Sequence, residues 1–400
     1  MLDNNINNDT LSDGKNVQEL PVEEVEAKDT KQEDFDELDE FVPRKPEPHT
    51  WPVSTKRFYL SGKDKVYITV LLGLIALFAA ITVCVFIWAN SSRGTNDPTD
   101  TTAAATQSGE THDPEETLSS EIDFVPAGIA DDVTSIPSEL ISSTNAVFLD
   151  LSTNTVTASR LADERTYPAS LTKVMTLIVA VENLKNASAL DDVITVSEEV
   201  FNKMRAEGAS GAGLEPGEKL TVESMLYALI LESDGIAACE LAKYVAGSEE
   251  AFVQLMNDKA LSIGLEDTHF VNPTGLHDND HYSTCRDLAN IMAYAVKNEF
   301  CKKIMETKSY TAVCTQPSGR QFNYYFYHSL LVTQFDKLQK TQPQYSVVMS
   351  GKTGYTPESG YCLVTYAQNE NGGYIAVTTG AGSYSDCISD YIVIYDEYIA

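Results

Sequence analysis

The chain is predicted to fold as one α+β domain placed behind a single membrane-spanning helix. Three observations carry that prediction. Residues 66–89 run for 24 positions without a charge. Strand-like runs mark both ends of the region from about Ile122 to Ala400, and its middle is periodic like helix. Apolar residues make up 43% and charged residues 22% of the 400, enough for a sizeable core and too apolar for wholesale disorder. The 28 Lys and Arg face 59 Asp and Glu, a net charge of −31. A chain this acidic, with its basic residues not gathered on one face, repels phosphate backbones, so no nucleic acid partner is expected.

Residues 1–65 form the first segment. Its first 40 positions hold fourteen acidic residues and three Lys, a composition that cannot bury enough apolar surface to order itself. A disordered cytoplasmic tail is expected there, followed by a basic juxtamembrane stretch with Arg44, Lys45, Lys56, Arg57, Lys63 and Lys65. Residues 66–89 (VYITVLLGLIALFAAITVCVFIWA) then span a ~30 Å hydrocarbon core at ~1.5 Å per residue. They stand too far from the N-terminus, and run too long, for a cleaved signal peptide, so they read as a transmembrane signal anchor. Arg93 and a series of Asp and Glu follow. The positive-inside rule puts the N-terminus in the cytoplasm and everything after residue 90 outside, a single-pass protein in the cell membrane.

Residues 90–135 are rich in Ser, Thr, Asp and Glu and read as a linker. The folded domain is assigned to 136–400. Residues 145–151 and 155–160 alternate like strands around a Ser-Thr-Asn turn and predict a hairpin. A helix is predicted from Ser170, and another from a Thr221 N-cap with Val222, Met225, Leu226, Leu229 and Ile230 on one face. A third helix follows Ser283. Residues 361–368 and 374–379 read as a second strand pair, and 385–399 as a closing helix. Of seven cysteines, Cys84 lies in the span. The other six have no spacing of a disulfide framework or metal site, so mostly free, buried thiols are expected.

Ser170-Leu171-Thr172-Lys173 is the first motif with chemistry in it. Ser170 and Lys173 at i and i+3 share a helix face, so the amine reaches the hydroxyl. A serine hydroxyl needs a base to become a nucleophile, and Lys serves only where burial or positive charge lowers its pKa. Alone the pattern is weak, but Ser233 and Lys352-Thr353-Gly354 complete a triplet in the order used by penicillin-binding proteins and class A β-lactamases. Lys352 and Thr353 offer a charge and a hydroxyl to a carboxylate, and Gly354 lets a substrate backbone come close.

The flanks YPASLTKVMT, LEPGEKLTVESML, THFVNPTGLHDNDHYSTCRDLA and GKTGYTPESGYCLV closely resemble serine-type D-Ala-D-Ala carboxypeptidases, the low-molecular-mass penicillin-binding proteins. The resemblance covers residues 136–398. It implies a β-lactamase/transpeptidase-like fold, a five-stranded antiparallel sheet with an α-helical subdomain. It also implies removal of the terminal D-Ala from peptidoglycan stem pentapeptides through an acyl-enzyme, with acylation by β-lactam antibiotics. No cofactor and no metal belong to that chemistry, and His277 and His281 read as part of a polar loop. Carried over, Ser170 is the nucleophile, Lys173 its base and Ser233 a proton relay. Lys352 and Thr353 hold the substrate carboxylate beside Gly354 and Tyr355, and Lys352 helps keep Lys173 deprotonated by repulsion. The backbone N–H groups of Ser170 and Tyr355 take the oxyanion.

One departure stands out. The family's middle motif ends in Asn, and here it reads Ser233-Asp234-Gly235. A missing amide that positions substrate implies that Gly235→Asn raises turnover, unless Asp234 or a repacked loop already does the work. A second departure is that an Arg some relatives carry on a late strand has no counterpart in TTGAGSYSDC. A slow penicillin-binding scaffold is the alternative reading, and a β-lactamase a more distant one.

Overall fold

Side chains alternating across a strand explain the centre of the fold. The computed structural model describes residues 122–328, 330–331 and 348–399. In chain order its strands are β1 (Gly128–Ser135), β2 (Asn145–Asp150), β3 (Thr155–Arg160), β4 (Val193–Thr195), β5 (Lys219–Thr221), β6 (Ser309–Thr315), β7 (Gln321–Tyr327), β8 (Val348–Thr356), β9 (Gly360–Gln368) and β10 (Gly373–Ala381). The helices are α1 (Thr172–Glu182), α2 (Glu198–Ala206), α3 (Val222–Leu231), α4 (Gly235–Ala246), α5 (Glu249–Ser262), α6 (Cys285–Lys297), α7 (Glu299–Glu306) and α8 (Tyr384–Tyr398).

Both faces of the main sheet are covered. Val147 and Leu149 of β2, with Ile375 and Val377 of β10, join the larger core made with the helical middle. Ala146, Phe148, Tyr374 and Ala376 point the other way, into a second core closed by Ile388, Tyr391 and Tyr395 of α8. The closing helix is therefore the lid of one sheet face, and the helical subdomain covers the other.

The sheet has six strands, in the order β1-β3-β2-β10-β9-β8, where five antiparallel ones were expected. Five of them are antiparallel to their neighbours, and β1 adds to β3 in parallel with an irregularity between Ile129 and Thr134. Strand β1 lies inside the stretch assigned to the linker. Its side chains are nearly all exposed, so it has no apolar alternation to read, and backbone pairing alone recruits it. The chain is anchored still earlier: Ala127 is buried and its N–H donates to Asn290 Oδ1 at 2.8 Å. A second sheet, β4-β5-β6-β7, was not expected, because β4 and β5 are three residues each, too short to show a period.

Several helix starts follow their caps. Thr221 Oγ1 accepts from Ser224 N, Thr284 Oγ1 from Asp287 N and Ser383 Oγ from Asp386 N, each satisfying a donor the first turn leaves open. The six described cysteines are free and buried. The tail 1–65, the span 66–89 with Cys84, and positions 90–121 of the linker lie outside the described residues. Among the described residues no helix is long and apolar enough to cross a membrane.

Candidate active site

Three segments distant in sequence meet at the exposed long edge of β8, the last strand of the main sheet. The first is the start of α1. Residues 169–171 form a 3₁₀ turn that runs directly into the helix, and Ala169 takes a positive φ of 45°. A non-glycine residue held there is strained, and such strain persists only where surroundings over-determine it. Here the neighbour is Gly275, itself at φ +81°, where an added Cβ would fall 1.8 Å from Ala169 O. Only glycine lets that loop press against the turn.

Ser170 sits half-exposed at the bend. Lys173 is 3% exposed, and its Nζ donates to Ser170 Oγ at 3.1 Å and to the carbonyl of Thr274 at 2.7 Å. Burial brings the Lys173 ammonium down to about 8, against the pull of Asp234 and Cys239 in the other direction. Desolvation is the largest cause of that lowering. The mutual repulsion of the two ammonium groups is visible on Lys352, where burial first and Lys173 second hold the ammonium well below the usual lysine range.

The second segment is the α3–α4 turn. Ser233 has φ +54°, and its Oγ accepts from Lys352 Nζ at 2.9 Å. Asp234 is fully buried and caps α4: Ala237 N–H donates to Oδ1 at 2.8 Å, and Ala212 N–H to Oδ2 at 2.6 Å. Gly235 does not face an open cleft. A Cβ there would come within 2.9 Å of Ala209 Cβ and 3.0 Å of Met204 Sδ, and its N–H donates to Ser210 O at 2.9 Å. The space expected for a side chain at 235 is already filled.

The third segment is β8. Lys352, Thr353 and Gly354 lie in mid-strand, with Lys352 and Gly354 buried and Thr353 half-exposed. The reason for glycine at 354 is the Ser170 turn: an added Cβ would meet Ser170 N at 3.0 Å, Ala169 Cβ at 3.1 Å and Pro168 O at 3.2 Å. Tyr355 is exposed with its ring 4.4 Å from that of Tyr361.

Sequence reasoning missed the second rank of groups. Thr274 offers a backbone carbonyl, which no side-chain motif announces. His281 belongs to no metal cluster among the described residues and instead braces α1. Val271 N–H donates to its Nδ1 at 3.2 Å, so Nε2 carries the proton and donates to Thr172 Oγ1 at 2.8 Å. Burial pushes this imidazole down to about 3, so it stays neutral. His328 is buried beside Lys352 and is brought to about 4, by burial first and by Lys352 second. A cavity of about 660 Å³ adjoins Thr274, lined among others by Met204, Glu207, Asn272, Thr356 and Pro357.

The peptidase S11 family, D-alanyl-D-alanine carboxypeptidase, matches residues 132–383. The chain is 34% identical over 262 residues to the D-alanyl-D-alanine carboxypeptidase DacF of Bacillus subtilis, covering 65% of this chain and 63% of that protein. With the D-alanyl-D-alanine carboxypeptidase of Streptomyces sp. strain K15 it shares 32% over 263 residues, 63% of this chain and 84% of that one. The crystal structure of the Streptomyces K15 DD-transpeptidase superposes with a TM-score of 0.59 at 30% identity, over 66% of this chain and 98% of that one. The Ser170 turn, a lysine-bearing edge strand and the Ser233 turn brought together on this sheet, within these matched bounds, place the chain in the D-alanyl-D-alanine carboxypeptidase family, peptidase family S11.

Proposed function

We propose that this protein is a membrane-anchored serine DD-carboxypeptidase that removes the terminal D-Ala from peptidoglycan stem pentapeptides and is acylated by β-lactam antibiotics. The observation that carries the reading is the buried Lys173 amine, brought down to about 8 and 3.1 Å from Ser170 Oγ. A lysine with that pKa is neutral for an appreciable fraction of the time near neutral pH, which is what a general base requires.

In the proposed reaction the neutral Lys173 accepts the Ser170 proton as Oγ attacks the carbonyl carbon of the penultimate residue. The charge that develops on the carbonyl oxygen is held by the N–H groups of Ser170 and Tyr355. Preorganised donors of this kind are typically worth a few kcal/mol. The close approach of β8 to the Ser170 turn, made possible by Gly354, supports that pairing. The tetrahedral species collapses, the peptide C–N bond breaks, and the leaving D-Ala amine takes a proton relayed through Ser233, whose Oγ is 2.9 Å from Lys352 Nζ. Water then cleaves the acyl-ester. The substrate's terminal carboxylate binds at Lys352 and Thr353, and its arrival favours the charged form of Lys352. Anchoring rests on the uncharged run 66–89 and the basic residues before it.

Full-length protein treated with labelled penicillin and with a D-Ala-D-Ala pentapeptide tests the proposal. One label on Ser170 together with release of free D-Ala is the expected outcome. A stable label without D-Ala release would leave the scaffold reading in its place, and no label on Ser170 would overturn the site.

A further inference from the structure

The motif's third position is glycine in this chain; Met204, Ala209 and Ser210 occupy the space beside it, and residues 209–212 run along the turn. This short segment follows α2 and is bonded to the serine turn at two adjacent points. Ala212 N–H donates to Asp234 Oδ2 at 2.6 Å, and Gly235 N–H donates to Ser210 O at 2.9 Å. Its packing is equally close, with Gly211 so near Asp234 that a Cβ would stand 2.9 Å from Oδ2. The other flank of the turn is tied down as well, by Glu232 Oε1, which accepts from Tyr327 N–H at 2.7 Å at the end of β7. Between these ties Ser233 keeps its left-handed φ, a conformation that costs of order 1–3 kcal/mol and needs such ties to persist. Met204 and Glu207, just before the segment, line the cavity that also reaches Thr274.

We propose that residues 209–212 are a backbone strap that holds the Ser233 turn in place where the motif's amide is missing, and that Asp234 is the positioning residue that locks this strap and the turn together. Asp234 touches neither substrate nor the reacting atoms. It acts through the strap, through the N-cap of α4, and through its charge on Lys173, a charge that burial opposes and the N–H groups of Ala237 and Ala212 favour. The groups facing Lys173 are Asp234 and Cys239 from the α3–α4 side, Lys352 from β8 and His281 from the loop before α6. Of these, Asp234 pulls Lys173 toward its charged form most strongly.

The inference rests on Ser170 being the acylated residue, and the test separates the two. Penicillin acylation of the full-length protein is followed against pH for wild type, Asp234→Asn and Gly211→Ala, with a thermal melt for each. Asparagine keeps a cap acceptor for Ala237 N–H but turns a donor or an uncharged oxygen toward Ala212. The alanine pushes strap and carboxylate apart with every charge intact. Both variants should acylate about tenfold more slowly, equivalent to ~1.4 kcal/mol. Only Asp234→Asn should move the acid limb, to lower pH, because Lys173 loses the charge that favours its protonated form. A Gly211→Ala protein at wild-type rate overturns the strap, and it carries the test if Asp234→Asn does not fold. A slowed Asp234→Asn with an unmoved limb reduces Asp234 to a helix cap and overturns its positioning role. A wild type that takes no label on Ser170 overturns the functional reading and this inference together.

Discussion

The two walls of the cleft are built differently. On one side Ser170 and Lys173 stand at the start of α1, whose residues from Thr172 to Val181 are all buried. Their spacing follows from helix geometry alone, and the surrounding core holds it. On the other side Ser233, Asp234 and Gly235 form a turn between two helices, strained at Ser233 and held by Asp234, Glu232 and a strap from residues 209–212. The Ser170–Lys173 spacing is fixed by local periodicity, and only the strained Ala169 beside it leans on the distant Gly275. The turn wall depends throughout on contacts with chain segments more than twenty residues away. The first wall carries the family's Ser-x-x-Lys residues and the second departs from its motif.

The sharpest way to break the comparison is at the nucleophile. Ser170→Ala should abolish covalent penicillin labelling. Lys173→Ala should slow it by roughly 10²–10⁴-fold, the usual range for a lost general base, while the melting temperature stays near wild type. Labelling that survives Ser170→Ala, or that keeps the wild-type rate in Lys173→Ala, would show that the helix wall is not the reacting one.

Next in size is the contact between the nucleophile turn and β8. Gly354→Ala places a methyl group at 3.0 Å from Ser170 N, and overpacking of that kind costs ~1–3 kcal/mol. Acylation should fall by about thirtyfold, which corresponds to ~2 kcal/mol. An unchanged rate would mean that β8 and the turn move apart freely.

At the turn wall the expectation from the motif reverses. Gly235→Asn should not raise turnover. Its side chain meets Ala209 and Met204 at about van der Waals overlap, so peptide turnover should drop about tenfold, or ~1.4 kcal/mol. A faster Gly235→Asn enzyme would show that the strap leaves the amide's work undone.

The last test concerns pH. In the proposed mechanism acylation needs neutral Lys173, brought down to about 8, so the rate should fall tenfold per unit below that value and level off above it. Stability has its own sign. The folded-state pKa lies below the unfolded value of ~10.4, so the unfolded chain binds more protons between pH 8 and 10, and this group's contribution to stability rises with pH across that window. A flat acylation profile from pH 6 to 9 would remove Lys173 from the base role.

What the sequence determined by itself is what short-range physics governs. Strands β2, β3, β9 and β10, helices α1, α3, α6 and α8, and the i, i+3 pairing of Ser170 with Lys173 were all legible from alternation, caps and periodicity. So were the six buried thiols, because a cysteine among apolar neighbours has nowhere else to go. Other features came only from the tertiary structure. Strand β1 carries no pattern, since its pairing is made by backbone groups that every residue has. Thr274 serves through its carbonyl, and His281 braces α1 through a tautomer set by Val271 N–H. The lowering of Lys173 is set by how much water the fold removes, a quantity summed over the whole enclosure and not encoded in any neighbour. Gly235 shows the same limit from the other direction. A motif names the residue at a position, but the volume available there belongs to Ala209 and Met204, which only folding brings beside it.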